Sequence, residues 1–279
     1  MDGDKYLTIS EFSKISVVSR KALIYYDRIG LFHPDHVKEN GYRYYSHQQI
    51  ETITVINTLS KSGMPLEQIK RYLSECNPEK ALALFRNQEK QIADQIRQLK
   101  SVQEMIAMRI SLITEALEET EPVKVVEQDK VPFYISPPFH HHSKNIPGEI
   151  WVDFYDSCEV NGLSYGYPTC YVIQKQDITD KKSDMISHVG IRINNKKRAN
   201  HFIRKGTCLI GFGLCHYGET SNIYSRLYDY IEKNNLHIAG NAYEEYLLDE
   251  VTTADSTKYK VKVTIPIEKI DTYTACNHK

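Results

Sequence analysis

The sequence predicts an α+β chain in three parts, and three observations carry that expectation. Short capped helical patterns and a glycine-marked hairpin fill residues 1–76, one long heptad-patterned helix occupies 77–120, and strand patterns run from 121 to 279. A chain of 279 residues is also long for a single domain, on a prior of about 150 residues each.

The first part opens with a capping box, Thr8 with Glu11 three residues on, which starts a helix carrying Ile9, Phe12 and Ile15 at helical spacing. Ser16-Val17-Val18 breaks the pattern, and Ser19 caps a second short helix that turns Ala22, Leu23 and Tyr26 inward. Arg20 and Lys21 fall in its first turn, where a recognition helix presents side chains to bases and phosphates. Gly30 can end this helix in the left-handed conformation. The stretch from Phe32 to Gly41, with Pro34 and Asn40-Gly41, then reads as strand, turn, strand, a wing on which Arg43 and its flanking tyrosines can meet phosphate. A helix-turn-helix with a wing implies DNA binding.

Leu23-Ile-Tyr-Tyr-Asp27, Gly30-Leu31-Phe32, Gly41-Tyr-Arg-Tyr-Tyr45 and Gly63-Met-Pro-Leu-Glu-Gln-Ile69, in this order, make the chain resemble the MerR family of transcription regulators. One departure is Ile24, which stands where that family usually has Arg. The expected DNA-facing residues are Thr8, Ser19, Arg20, Lys21, Tyr25, Tyr26, Tyr42, Arg43, Tyr45 and Lys61. The partners this resemblance implies are double-stranded promoter DNA, RNA polymerase and a second copy of the chain.

A second capping box, Ser46 to Gln49, predicts a third helix running to Lys61 and ended by Gly63, and Pro65 can start a fourth. Pro78 opens the long helix. In it Phe85, Ile92, Leu99, Ile106 and Ile113 recur every seven residues, with Ile96, Ile110 and Leu117 at the intervening heptad positions and Glu89 and Gln103 as polar interruptions. So narrow an apolar stripe needs a partner helix. The simplest is its equivalent in a second subunit, antiparallel in MerR-like dimers, and the alternative is packing against the chain's own C-terminal half. A two-fold dimer would read a pseudo-palindromic site.

From residue 121 two similar halves follow. Each reads as helix, strand, strand: 150–158, 163–173 and 185–193, then 222–233, 240–248 and 259–267. The region resembles the gyrase-inhibitor-like effector domain of multidrug-sensing MerR members, through this repeat and through Gly240-Asn-Ala-Tyr-Glu-Glu-Tyr-Leu-Leu-Asp249. Strand alternation puts Ala242, Glu244, Tyr246 and Leu248 on one face, making Glu244 the acid on the less polar side. A carboxylate among apolar neighbours is costly unless paired, and a lipophilic organic cation would pair it. Tyr165, Tyr167 and Tyr171 would share one face of the preceding strand, and Trp151 opens the helix before it. Twelve of the 20 tyrosines lie beyond residue 150, and aromatic faces attract cations while accepting varied shapes. The resemblance adds Tyr243 beside Glu244 and Tyr259 to the expected pocket, and Tyr217 joins the expected ligand-binding set. It further implies an activator: a liganded dimer that distorts promoter DNA whose polymerase-recognition elements are badly phased.

Other classes are excluded or stand as alternatives. Net charge is −1, and residues 1–75 balance ten Lys and Arg against nine Asp and Glu, so DNA binding rests on local patches and not on general basicity. The chain has no run of 18 apolar residues, and its polar start, Met-Asp-Gly-Asp-Lys, does not read as a signal peptide, so a cytoplasmic protein without membrane contact is expected. Cys76, Cys158, Cys170, Cys208, Cys215 and Cys276 have no Cys-x-x-Cys spacing and are expected to be reduced thiols. Cys76 alone lies near the position where metal-sensing MerR members carry a ligand, so no metal and no cofactor is expected. His140-His141-His142 beside Pro137-Pro138 reads as a surface loop. Some relatives of the gyrase-inhibitor-like fold are small hydrolases, but no nucleophile elbow, P-loop, dinucleotide fingerprint or zinc-protease motif is present. The expectation is therefore a regulator and not an enzyme, with a non-sensing interaction module as the further alternative for the C-terminal part.

Overall fold

The computed structural model describes residues 6–142 and 145–269. By packing the chain divides into two units, Met1–Ile96 and Arg97–Lys279, so the division falls inside the long helix. Cys276 lies outside the described residues.

In the first unit β1 (Tyr6–Thr8) leads into α1 (Ile9–Ser16) and α2 (Arg20–Arg28), followed by β2 (His36–Val37), β3 (Arg43–Ser46), α3 (Gln49–Lys61), α4 (Leu66–Ser74) and the start of α5 (Pro78–Glu118). The Thr8 capping box is complete, with Thr8 N donating to Glu11 Oε2 at 2.8 Å and Glu11 N donating to Thr8 Oγ1 at 3.3 Å. Ser19 Oγ caps α2 by accepting from Ala22 N at 3.1 Å. Gly30 (φ +70°) and Gly63 (φ +94°) end α2 and α3: Leu31 N reaches back to Tyr26 O at 2.9 Å, and Met64 N to Leu59 O at 3.0 Å. The predicted second capping box is only half made. Ser46 N donates to Gln49 Oε1, but Ser46 still belongs to β3 and the helix starts at Gln49.

β1 went unpredicted, because three residues are too few for alternation to register. It pairs with β3, which pairs with β2, giving a sheet of order β1-β3-β2. The core beneath it is aromatic: Tyr45 is fully buried between Phe12 (ring centroids 4.4 Å) and Phe32 (5.9 Å), over Leu23, Tyr26, Ile53, Ile56 and Ile69. Val17, between α1 and α2, holds φ +55°, an uncommon and costly conformation for a β-branched residue.

The second unit contains the remainder of α5 followed by β4 (Val123–Gln128), β5 (Val131–Ile135), β6 (His141–His142), α6 (Gly148–Val160), β7 (Thr169–Ile173), α7 (Lys175–Thr179), β8 (Met185–Ile186), β9 (His188–Arg192), β10 (His201–Ile203), β11 (Gly206–Leu214), α8 (Ser221–Lys233), β12 (Leu236–Ile238), β13 (Ala242–Leu248) and β14 (Lys260–Lys269). The main sheet runs β10-β5-β9-β7-β13-β14-β11-β4, with β12 added to the end of β14. The duplication is visible in that order. Strand, helix, strand, strand (β5, α6, β7, β9) recurs as β11, α8, β13, β14, and the two halves meet at the β7–β13 pair. The leading strand of each half, β5 and β11, was missed because both are buried on two faces and show little alternation. The predicted strand over 163–173 is shorter than expected, beginning only at Thr169 after Gly162 and Gly166, both at positive φ. The histidine run is not a loop, since β6 pairs with β8.

α8 closes one face of this sheet. Gly211 and Gly213 allow it: a Cβ at either would lie within 3 Å of Ile223, and at Gly211 within 3 Å of Leu227 as well. The opposite face holds the C-terminal part of α5, as the alternative of packing against the chain's own C-terminal half expects. Met108, Leu112 and Ala116 are buried in the core of the second unit, while Leu99 (68 % exposed), Ile106, Ile110 and Leu117 (74 %) form a separate exposed stripe. The buried face carries polar locks. Lys262 Nζ lies 2.9 Å from both Glu245 Oε2 and Glu115 Oε1, and Arg192 Nη1 lies 3.4 Å from Glu245 Oε1 and 3.6 Å from Glu115 Oε2. Arg109 meets Asp249 at 3.1 Å, and Lys260 Nζ caps the helix end by donating to the Ala116 and Glu119 carbonyls.

The side chains of Lys262 and Glu245 are each only 5 % exposed. Removing one member of such a cluster strands the opposite charge. Lys262→Met should therefore destabilise the second unit by about 3–5 kcal/mol. In urea titrations the double variant Lys262→Met/Glu245→Gln should recover more than half of that loss, and no recovery would show that Lys262 acts by packing alone.

Candidate nucleic-acid interface and ligand site

Arg20 and Lys21, in the first turn of α2, are exposed, as are Ser19, Tyr25, Tyr42 and Lys61. The wing turn is set by Gly41 (φ +81°), with Gly41 N donating to Lys38 O at 2.8 Å. These residues lie where the sequence put them. Four others do not reach outward as expected. Tyr26 and Tyr45 are core residues, because their rings fill the space between α1, α3 and the small sheet. Thr8 spends its hydroxyl on the cap, accepting from Glu11 N and donating to Glu11 Oε2. Arg43 is tied inward: its Nε donates to Asp27 Oδ2 at 2.8 Å, while His33 Nδ1 sits 2.8 Å from Asp27 Oδ1. Asp27 of α2 thus fixes the wing strand to the second helix, a role that its place in Leu-x-Tyr-Tyr-Asp gave no local reason to expect. Burial pushes the Asp27 carboxyl upward, but the hydrogen bonds from His33 and Arg43 outweigh it and hold the group below its ordinary value.

In the second unit Tyr171 of β7, Glu244 and Tyr246 share one sheet face, with Tyr171 directly opposite Glu244 across the β7–β13 pair. All three are buried, Glu244 completely. Thr220 Oγ1 donates to Glu244 Oε1 at 3.1 Å, and the Glu244 charge joins burial in holding the Tyr224 phenol protonated. Tyr217, from the loop before α8, lies over this group. It stacks on Tyr246 at 4.8 Å and its hydroxyl hydrogen-bonds Tyr171, while Tyr246 Oη accepts from Gly218 N at 2.9 Å. Trp151 meets Tyr171 edge-on at 6.4 Å and stacks on Tyr155 at 5.8 Å. A continuous aromatic surface results. Tyr217 forms part of two clefts, one of about 500 Å³ bounded by Asn145, Asp184 and Thr220, the other of about 320 Å³ bounded by Thr169, Tyr246, Glu250 and Tyr259.

The sequence-derived ligand set divides accordingly. Trp151, Tyr171, Tyr217, Glu244, Tyr246 and Tyr259 gather here. Tyr243 does not: as the strand neighbour of Glu244 it faces the opposite way, against Phe133 and His201. Tyr165 and Tyr167 precede the strand and so do not share the Tyr171 face. Tyr165 reaches the cluster only through Tyr155 and donates to Glu159, and Tyr167 is buried with Glu104 near enough to help burial raise its phenol to about 12. Tyr155, Thr220 and Tyr224 were missed. Of these only Tyr155 had a readable signal, four residues after Trp151 on the same face of α6. No group of three or more His, Cys, Asp or Glu able to hold a metal occurs among the described residues. Cys158, Cys170 and Cys208 are buried free thiols, and burial pushes Cys208 up to about 11. No described helix is long and apolar enough to cross a membrane.

The capped helix pair with its pinned hairpin defines a winged helix-turn-helix DNA-binding protein. The family described as MerR HTH family regulatory protein matches residues 7–76. Over 276 residues, 96 % of this chain and 99 % of the relative, the sequence is 30 % identical to the multidrug-efflux transporter 2 regulator of Bacillus subtilis (strain 168). It is also 36 % identical to the multidrug-efflux transporter 1 regulator of the same organism over 106 residues, 38 % of each chain. The chain belongs to the MerR family of DNA-binding transcription regulators, and it is a regulator and not an enzyme. Among solved structures, the chain in the cryo-EM structure of the EcmrR–DNA complex in EcmrR-RPo aligns with 95 % of this one at 21 % identity and a TM-score of 0.42.

Because Asp27 has a lower pKa folded than unfolded, its contribution to stability is present above the unfolded value of about 3.9 and is lost as pH falls through the folded one. In urea titrations Asp27→Asn should lower the midpoint of the N-terminal unit at pH 6. The gap from the parent should narrow between pH 4 and pH 3, and a pH-independent gap would remove the ionic clamp as its cause.

Proposed function

We propose that the chain is a ligand-responsive transcription activator whose effectors are lipophilic cations bound at Glu244. The observation that carries this reading is a fully buried carboxylate on a sheet face among Tyr171, Tyr217 and Tyr246. A delocalised organic cation gains there from the carboxylate's charge and from the negative faces of the rings, at about 0.5–2 kcal/mol per ring. Flat aromatic walls accept bodies of different shape, so charge sets the class of ligand and shape selects weakly. Tyr217 covers the group from an exposed loop, and entry requires it to move aside. Trp151 and Tyr155 extend the aromatic wall, and Tyr259 borders the neighbouring cleft.

The chain acts as a homodimer through a stripe of α5, with exposed Phe85, Ile96, Leu99, Ile106, Ile110 and Leu117 and half-buried Ile92 and Ile113 as the seam. Arg20, Lys21, Ser19 and Tyr25 face promoter DNA from α2, Tyr42 meets its backbone from the wing, and Lys61 adds a further phosphate contact. The ligand favours the dimer state that distorts the promoter for RNA polymerase, and shifts the equilibrium by its differential affinity for the two states. The protein works in the cytoplasm.

In vitro transcription with purified polymerase, with and without a panel of cationic and neutral amphiphiles, tests the reading as a whole. Stimulation confined to cations is expected. Trp151, the only tryptophan, reports binding directly. Glu244→Gln should weaken crystal violet at least about tenfold (about 1.4 kcal/mol) while leaving its uncharged leuco form within about twofold. Equal loss for both would sink the charge argument. Leu99→Asp with Ile106→Asp should convert the dimer to monomer in sedimentation velocity, and a persistent dimer would locate the seam elsewhere.

A further inference from the structure

The other face of the sheet carries a feature that the Glu244 cluster leaves unused. β10 and β13 are separated by three strands, which in a flat sheet would hold them roughly 19 Å apart at about 4.8 Å per step. Yet His201 Nε2 and Tyr243 Oη are hydrogen-bonded at 2.7 Å, and Phe133 of β5 lies on the Tyr243 ring at 5.5 Å. The sheet curls until these side chains meet. Tyr243 and His201 form part of the lining of a cavity of about 1490 Å³, which also takes Tyr230 of α8 and Asn234 at its end and so reaches beyond the face that Tyr243 occupies.

Its chemistry is the reverse of that at Glu244. Tyr243 and His201 are polar but uncharged at neutral pH, since burial lowers the His201 pKa and raises that of the Tyr243 phenol. The walls include the apolar side chains of Val125, Leu236 and Ile267. At the rim stand Lys175, Arg204 and Lys205. Lys205 faces Asp129 at 3.4 Å, whereas Lys175 and Arg204 have no ion-pair partner among the described residues. Arg204 lies near enough to Tyr243 for its charge to act on the phenol. Of the two acids in the lining, Glu127 accepts from the Thr207 hydroxyl at 2.6 Å, and Glu268 follows the wall residue Ile267 on β14.

We propose that this cavity is a second ligand site, which takes an organic anion, a carboxylate or sulfonate on an apolar body. Arg204 and Lys175 meet the acidic head, the apolar walls cover the body, and the Tyr243–His201 pair offers hydrogen bonds at the floor. Glu244 is not part of this lining, and it projects from the side of β13 opposite to Tyr243. It also gives a place to Tyr243, which the sequence marked as a ligand residue and the cation site excludes.

The test uses the full-length chain and 8-anilinonaphthalene-1-sulfonate, read by its own emission, with uncharged N-phenyl-1-naphthylamine as the matched control. Lys175 and Arg204 are exposed, so Arg204→Gln and Lys175→Gln do not threaten folding. One saturable sulfonate per chain is expected. The double variant should weaken it at least about tenfold, Tyr243→Phe should weaken it measurably, and the neutral amine should stay within about twofold. Glu244→Gln should leave sulfonate affinity unchanged. The proposal fails if Arg204→Gln/Lys175→Gln leaves sulfonate binding intact, if the neutral probe falls in parallel, or if Glu244→Gln alone abolishes the binding.

Discussion

The second unit is organised around a charge that has almost no water. Lys262 lies between Glu245 and Glu115, with Arg192 completing a neutral group of two acids and two bases. Burial on its own would raise the Glu245 carboxyl, and Lys262 and Arg192 reverse that and hold it ionised. Hydrophobic residues of similar volume could fill such a space as stably. What the ions add is position: a buried cation tolerates one arrangement of its acids, so α5 can settle against β13 and β14 in one register. Everything on the other face of β13, including Glu244 and its aromatic partners, is placed by a strand whose alternate side chains are held in this way.

A smaller version of the same device orders the first unit. Asp27 accepts from Arg43 on the wing strand and lies beside His33 in the linker that leads to it, so one carboxylate sets the hairpin's angle on α2. In both units the acid that does the positioning belongs to a segment the sequence had marked for recognition. Asp27 closes the Leu-x-Tyr-Tyr-Asp motif, and Glu245 follows Glu244.

Local signals in the sequence were read well and tertiary ones poorly. The capping box at Thr8, the Ser19 cap, and the glycines at 30, 41 and 63 depend only on neighbours a few residues away, and each forms as expected. The heptad stripe on α5 was equally legible, being periodic. The face of the same helix formed by Met108, Leu112 and Ala116 was hidden, because Arg109 and Glu115 interleave it and their partners, Asp249, Arg192 and Lys262, lie far along the chain. Tyr45 read as a DNA-facing residue because a tyrosine hydroxyl suggests water, and Tyr26 read both as inward-turned and as DNA-facing, whereas both rings are buried in the core. For Tyr243 and Glu244 the alternation rule was available and places them on opposite faces. Family resemblance overrode it.

The two faces of α5 have a consequence for how such a chain can change. In the second unit the buried face and the exposed stripe belong to one rigid α-helix, so their angular relation is set by counting residues and by nothing else. One residue inserted between Leu99 and Met108 would rotate the faces relative to each other by about 100°. Substitutions on the exposed sides of the helix leave that relation untouched. The helix is thus permissive in composition and strict in length, and drift in this family should appear along α5 as exchanged side chains and not as gaps.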